Sequence, residues 1–99
     1  MRNDSRIAAE FMAAGRSESC PVIDMHGHYG PYRAIYFPSP YADGMLHSMD
    51  RCGVQCIVIS GHAALTDPDR GNKIVADVIG GHPGRFYGYW CVNPNYPRD

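Results

Sequence analysis

The sequence predicts a parallel α/β architecture of three strands joined by two crossover helices. Three β-branched or aromatic segments open at Val22, Val54 and Phe86, 32 residues apart in each case. Both intervals between them contain a stretch with apolar residues at helical spacing. Consecutive strands with a helix between them run parallel, because the helix carries the chain back to the starting edge of the sheet. Eight units at this period need roughly 250 residues, the usual size of a (β/α)8 barrel. The 99 residues therefore read as a partial (β/α)8 TIM barrel, its first three parallel strands and two crossover helices. The units share no recognisable repeat, so the period is one of architecture.

Taken in order, residues 5 to 14 are good helix formers, with Ser5 as N-cap and Gly15 as stop. Their apolar positions barely define a face, which predicts a short helix outside the core and makes residues 1–20 an extension ahead of a barrel portion at 21–99. Residues 22 to 28 are the first strand. Strict alternation would put Val22, Asp24, His26 and His28 on one face and Ile23, Met25 and Gly27 on the other. A loop with Pro and aromatics follows to Pro38. Ser39-Pro40 then offers an N-cap and a first-turn proline to a helix carrying Met45, Leu46, Met49 and Cys52, ended by Gly53.

Residues 54 to 60 are almost continuously apolar, as strands buried on both faces are. With Gln55, Ile57 and Ile59 outward, Ser60 and His62 come to the inner face at the carboxyl end. Asp67-Pro68 opens the next helix, whose stripe is Ile74, Val75, Val78 and Ile79 and whose stop is Gly80-Gly81-His82-Pro83. A third strand is expected over residues 85 to 92, closed by the turn-rich Asn93-Pro94-Asn95-Tyr96-Pro97.

A net charge of -1 and a hydrophobic content of 44% fit one globular unit and argue against a strongly basic nucleic-acid binder. No apolar run approaches the roughly 18 residues of a membrane span. The first twenty residues lack the apolar core of a signal peptide, so a cytoplasmic protein is expected. Cys20, Cys52, Cys56 and Cys91 have no C-x-x-C spacing and read as reduced, buried thiols.

The chemistry concentrates in the first strand. Two imidazoles two residues apart on one strand face can both offer a neutral ring nitrogen to one borderline-soft divalent cation. His26 and His28 are the metal candidates, and Asp24 reads as a hydrogen-bonded support rather than a ligand. In the loop that follows, Arg33 reads first as a surface arginine and second as a clamp for a substrate carboxylate. His62 is a candidate for the pocket wall, the competing reading being a solvated turn histidine. Ser60 and Asn93 are expected at the same end of the sheet.

From Pro21 to Arg98 the chain resembles the amidohydrolase superfamily, in the metal-dependent hydrolase branch that includes the aminocarboxymuconate-semialdehyde decarboxylase-like enzymes. The resemblance rests on Ile23-Asp24-Met25-His26-Gly27-His28, Met49-Asp50-Arg51-Cys52-Gly53-Val54, Gly71-Asn72, and Pro83-Gly84-Arg85-Phe86-Tyr87-Gly88 leading to Val92-Asn93-Pro94. The first motif is shared with other metal-dependent barrels; the later ones point to this branch more narrowly. The resemblance implies a (β/α)8 barrel with a divalent metal, often zinc, at the carboxyl end of the strands, and gives His26 and His28 the role of first-strand ligands. Family members complete the site with histidines and an aspartate from later strands, which this chain lacks. It therefore reads as the amino-terminal portion of such an enzyme.

Two classes of function follow. In the first, a complete enzyme uses metal-activated water on a small-molecule amide or ester, or carries out non-oxidative decarboxylation of a carboxylic acid. In the second, the 99-residue product is a non-catalytic fragment or an assembly partner for another barrel segment. Neither involves nucleic acid or membrane, and an oligomer is compatible with both.

Overall fold

A computed structural model describes residues 5–95. Helix α1 (Arg6–Ala14) precedes β1 (Val22–Tyr29), α2 (Ala42–Cys52), β2 (Val54–Gly61), a 3-10 turn (His62–Leu65), α3 (Pro68–Gly81) and β3 (Phe86–Gly88). The strands form one parallel sheet in the order β1-β2-β3, so the expected α/β architecture is present. Among the described residues, no helix is long and apolar enough to cross a membrane.

The core is built on the central strand. Ile57 and Ile59 of β2 and Phe86 of β3 cluster with Met49 of α2 and with Val75 and Val78 of α3. Ile59 and Phe86 are fully buried, and each such side chain contributes about 1.5–3 kcal/mol by leaving water. Because α2 and α3 pack against this one cluster, both cover the same face of the sheet. The opposite face is bare: Ile23, paired with Cys56, and Tyr87, paired with Val58, are each about half exposed.

Local signals hold where they act locally. Ser5 accepts the N–H of Ala8, and Asp67 accepts the N–H of Arg70 with Pro68 in the first turn. Gly53 ends α2 in the left-handed region, φ 72°. Helix α1 buries no residue. It is tied to the following link by Ser17 and Ser19, whose hydroxyls donate to Glu10 and hold its carboxyl below the usual range.

The start of α2 differs from expectation. Tyr41 takes the cap position, without a side-chain bond, and the helix opens at Ala42. The carbonyl of Pro40 accepts the N–H of Gly30 at 2.9 Å, which holds this segment against the end of β1 and outside the helix. At the other end of the domain, α3 runs through Gly80 and Gly81 to a cap at His82.

The third strand is three residues long, against the expected eight. One further ladder bond, from Tyr89 N–H to Ile59 carbonyl at 2.9 Å, extends its pairing. The peptide groups of Cys91 go elsewhere: Asn72, buried on α3, donates to the Cys91 carbonyl at 2.8 Å and accepts its N–H at 3.0 Å. A side chain has replaced a neighbouring strand as hydrogen-bond partner. Arg85, just before β3, donates to the carbonyls of Val54 and Gln55 and to Asp50, closing the amino-terminal end of the sheet. Part of the turn-rich tail, Tyr96-Pro97, lies outside the described residues.

Helix α3 approaches the 3-10 turn through Gly71, where an added Cβ would overlap the backbone of Ala64. At Gly80 a Cβ would meet nothing within 4 Å. Gly71→Ala should therefore lower the unfolding free energy by about 1–3 kcal/mol through overpacking. Gly80→Ala should raise it by about 0.5 kcal/mol, by reducing the entropic cost of a glycine in the last turn of the helix. Urea unfolding of the two variants beside the parent chain checks both signs.

Candidate metal site at the carboxyl end of the sheet

The register of β1 against β2 sets the site. Asp24 lies opposite Ile57 and Gly27 opposite Ile59, so Met25 and His26 together face the single residue Val58. This extra residue is a β-bulge, which breaks strict alternation. Residues paired in register share a face. Asp24 therefore lies on the helix-covered side with Ile57, while His28, opposite Ser60, lies on the bare side.

The expectation that Asp24 shares a face with His26 and His28 is thus corrected. Asp24 nevertheless supports the site from behind: its Oδ1 accepts the backbone N–H of His26 at 3.0 Å. From the front, the hydroxyl of Tyr89 reaches across β2 and donates to the carbonyl of Met25 at 2.7 Å. Side chains from two elements thus hold the bulge.

His26 in the bulge and His28 beyond it project together, with ring centroids 5.1 Å apart in an edge arrangement. Gly27 between them leaves room for Ile57, whose side chain would have to shift to admit a Cβ there. His28 lies flat on His62, centroids 4.9 Å apart and planes within 7°. His62 is buried, and its Nδ1 donates to the carbonyl of Gly30 at 2.7 Å; a carbonyl only accepts, so the ring proton sits on Nδ1. Tyr32 and Phe37 close the remaining sides of the His62 ring, at 5.2 and 5.5 Å.

Burial against these neighbours, with the nearby imidazoles of His62 and His26, holds His28 below the ordinary imidazole range, although part of the residue is exposed. A neutral ring at pH 7 has a free lone pair, the form in which histidine binds a metal.

Beside His28 opens a cavity of about 450 Å³ whose polar lining includes Ser60, His62, Cys91 and Asn93, with Tyr32 and Ile35 among its apolar walls. Ser60, His62 and Asn93 thus meet at one end of the sheet. Arg33 is exposed and does not line this cavity. The four cysteines are free, but only Cys56 is buried; Cys20 and Cys91 are half-buried and Cys52 is exposed. The sheet and helices are too few to cover thiols at their margins.

Sequence reasoning missed Tyr89 and Asn72. Alternation from Phe86 would have turned Tyr89 towards the bare face, but its acceptor exists only because of the bulge. Asn72 belongs to the Gly71-Asn72 motif of the resemblance, but nothing local signalled its bonds to the distant Cys91 backbone.

No family model, no curated protein and no solved structure matches this chain. Among the described residues, no group of three or more His, Cys, Asp or Glu side chains is arranged to hold a metal ion. His26 and His28 offer a pair of nitrogen donors.

The depressed His28 pKa has a consequence for stability. On acidification below about 6.5 the unfolded chain takes up this proton before the folded one, so acid favours unfolding. The His28 contribution should be fully present above about pH 6.5 and decline as pH falls towards the folded value. Urea unfolding between pH 7.5 and 5 should show a steeper loss for the parent chain than for His28→Phe.

Proposed function

We propose that this chain carries the first-strand part of a metal-dependent hydrolase site on a (β/α)8 barrel of the amidohydrolase type. His26 and His28 serve as two nitrogen ligands of a divalent ion, zinc being the first choice. The observation that carries this reading is the convergence of two imidazoles at the carboxyl end of β1, with centroids 5.1 Å apart and one ring held neutral. The donor set fits a borderline divalent cation. The strand order and the single helix-covered face support a barrel segment, since a doubly wound sheet carries helices on both faces. The bare apolar face bearing Ile23 and Tyr87 is of the kind that further barrel strands would cover.

The chain's own residues divide the work. His26 and His28 bind; Asp24 and Tyr89 fix the backbone that presents them. Ser60 and Asn93 supply polar contacts in the cavity beside them, and Tyr32 and Ile35 give it apolar walls. A divalent ion bound there would lower the pKa of its water and polarise a substrate oxygen. A small amide or ester fits this chemistry. Non-oxidative decarboxylation of a carboxylic acid is placed second, because hydrolysis is the broader class.

The donor count among the described residues favours a second reading, of a non-catalytic role or an assembly partner. Catalytic zinc takes three protein ligands plus water and structural zinc takes four, whereas the first strand supplies two. Zinc titration of the full chain should show weak binding that His26→Ala and His28→Ala abolish. Elemental analysis after dialysis should find little retained metal, and neither amide nor aromatic-acid substrates should turn over. Binding that ignores both substitutions would sink the metal assignment. Tight stoichiometric zinc with hydrolysis lost in His26→Ala would overturn the partial-site reading.

A further inference from the structure

We infer that His62 is a positioning residue for His28, a flat support that fixes the orientation in which His28 is presented to a metal. This rests on the assignment of His26 and His28 as ligands. The His28 imidazole can turn about its side-chain torsions, and its ring flips are limited only by what it touches. One face lies on His62, nearly parallel at 4.9 Å, while its edge meets His26 at 5.1 Å.

The support is itself immobilised. The ring of His62 is buried, Phe37 stands edge-on to it, and Tyr32 leans against it. Its Nδ1–H is anchored on the Gly30 carbonyl at 2.7 Å, two residues beyond His28 on the same chain segment. The neighbouring Gly30 N–H is held by Pro40. The plane of His62 is thus referenced to the backbone that carries His28. A ligand ring held this way pays its ordering cost on folding and not on metal binding.

Two readouts on the full chain test this. The first uses no metal: long-range proton–nitrogen spectra with site-assigned histidines. In the parent chain the His28 ring protons should be shifted by the face of His62. That shift should vanish in His62→Ala and in His62→Gln and persist in His62→Phe, which keeps an aromatic face. The second is zinc affinity by competition with a chromophoric chelator, expected to fall about 10–100-fold in His62→Ala and His62→Gln, the usual effect of losing a ligand's supporting partner. His62→Phe should lie nearer the parent. Val78→Ala, in the core and away from the site, lowers stability without touching His28 and should move neither readout.

If His62→Ala does not fold, His62→Gln decides. Unchanged His28 shifts and unchanged zinc affinity in a folded His62→Ala or His62→Gln chain overturn the inference. Should the parent chain bind no zinc, the metal assignment fails on its own, and the spectra alone decide whether His62 positions His28.

Discussion

The outward side chains of the central strand fasten α2, α3 and β3 into one core. Ile57 and Ile59 meet Met49 from α2 and Val75 and Val78 from α3, and Phe86 completes the cluster from β3. Strand β2 also supplies the pairing for both its neighbours. A small domain has few such residues, so spacing along β2 sets where each helix lies and which face stays bare. Small residues at the contacts matter for the same reason. Gly27 and Gly71 sit where a methyl group would meet the Ile57 side chain and the Ala64 backbone, so β1 leaves room for a core side chain and α3 packs on the 3-10 turn at backbone distance.

The candidate site is a consequence of that framework and of one departure from it. The bulge in β1 moves Asp24 to the helix side, yet leaves its carboxylate able to hold the N–H of His26. Tyr89 takes the carbonyl of Met25 from the other side. A bulge exposes backbone polar groups, and here they are satisfied by side chains that thereby order the histidines. His62 adds the third constraint, a ring anchored on Gly30 and stacked on His28. The motifs behind the family resemblance include groups with structural work of this kind: Asp50 pairs with Arg85, and Asn72 holds the Cys91 backbone.

Much of the scaffold was legible because its causes are local. The caps at Ser5 and Asp67, the left-handed Gly53 and the apolar run of β2 each depend on a few adjacent residues. The period of 32 residues then ordered the strands, since consecutive parallel strands with short crossovers settle side by side. Aromatic-rich residues 85 to 92 misled, because strand propensity describes fit to a sheet and cannot say whether a neighbour is there to pair. Trp90 and Val92, good strand formers, are about three-quarters exposed.

By itself the sequence determined the α/β class, the order of elements, the outward face of β2 and the proximity of His26 to His28, all of which follow from residue type and periods of 2 and 3.6. Tertiary structure alone decided the face of Asp24, the length of β3, the entry to α2 and the stacking of His62 on His28. Those depend on register and on hydrogen bonds between residues as far apart as Met25 and Tyr89. A local pattern carries no record of which distant group will occupy a backbone donor or acceptor, and that occupancy is what shapes this site.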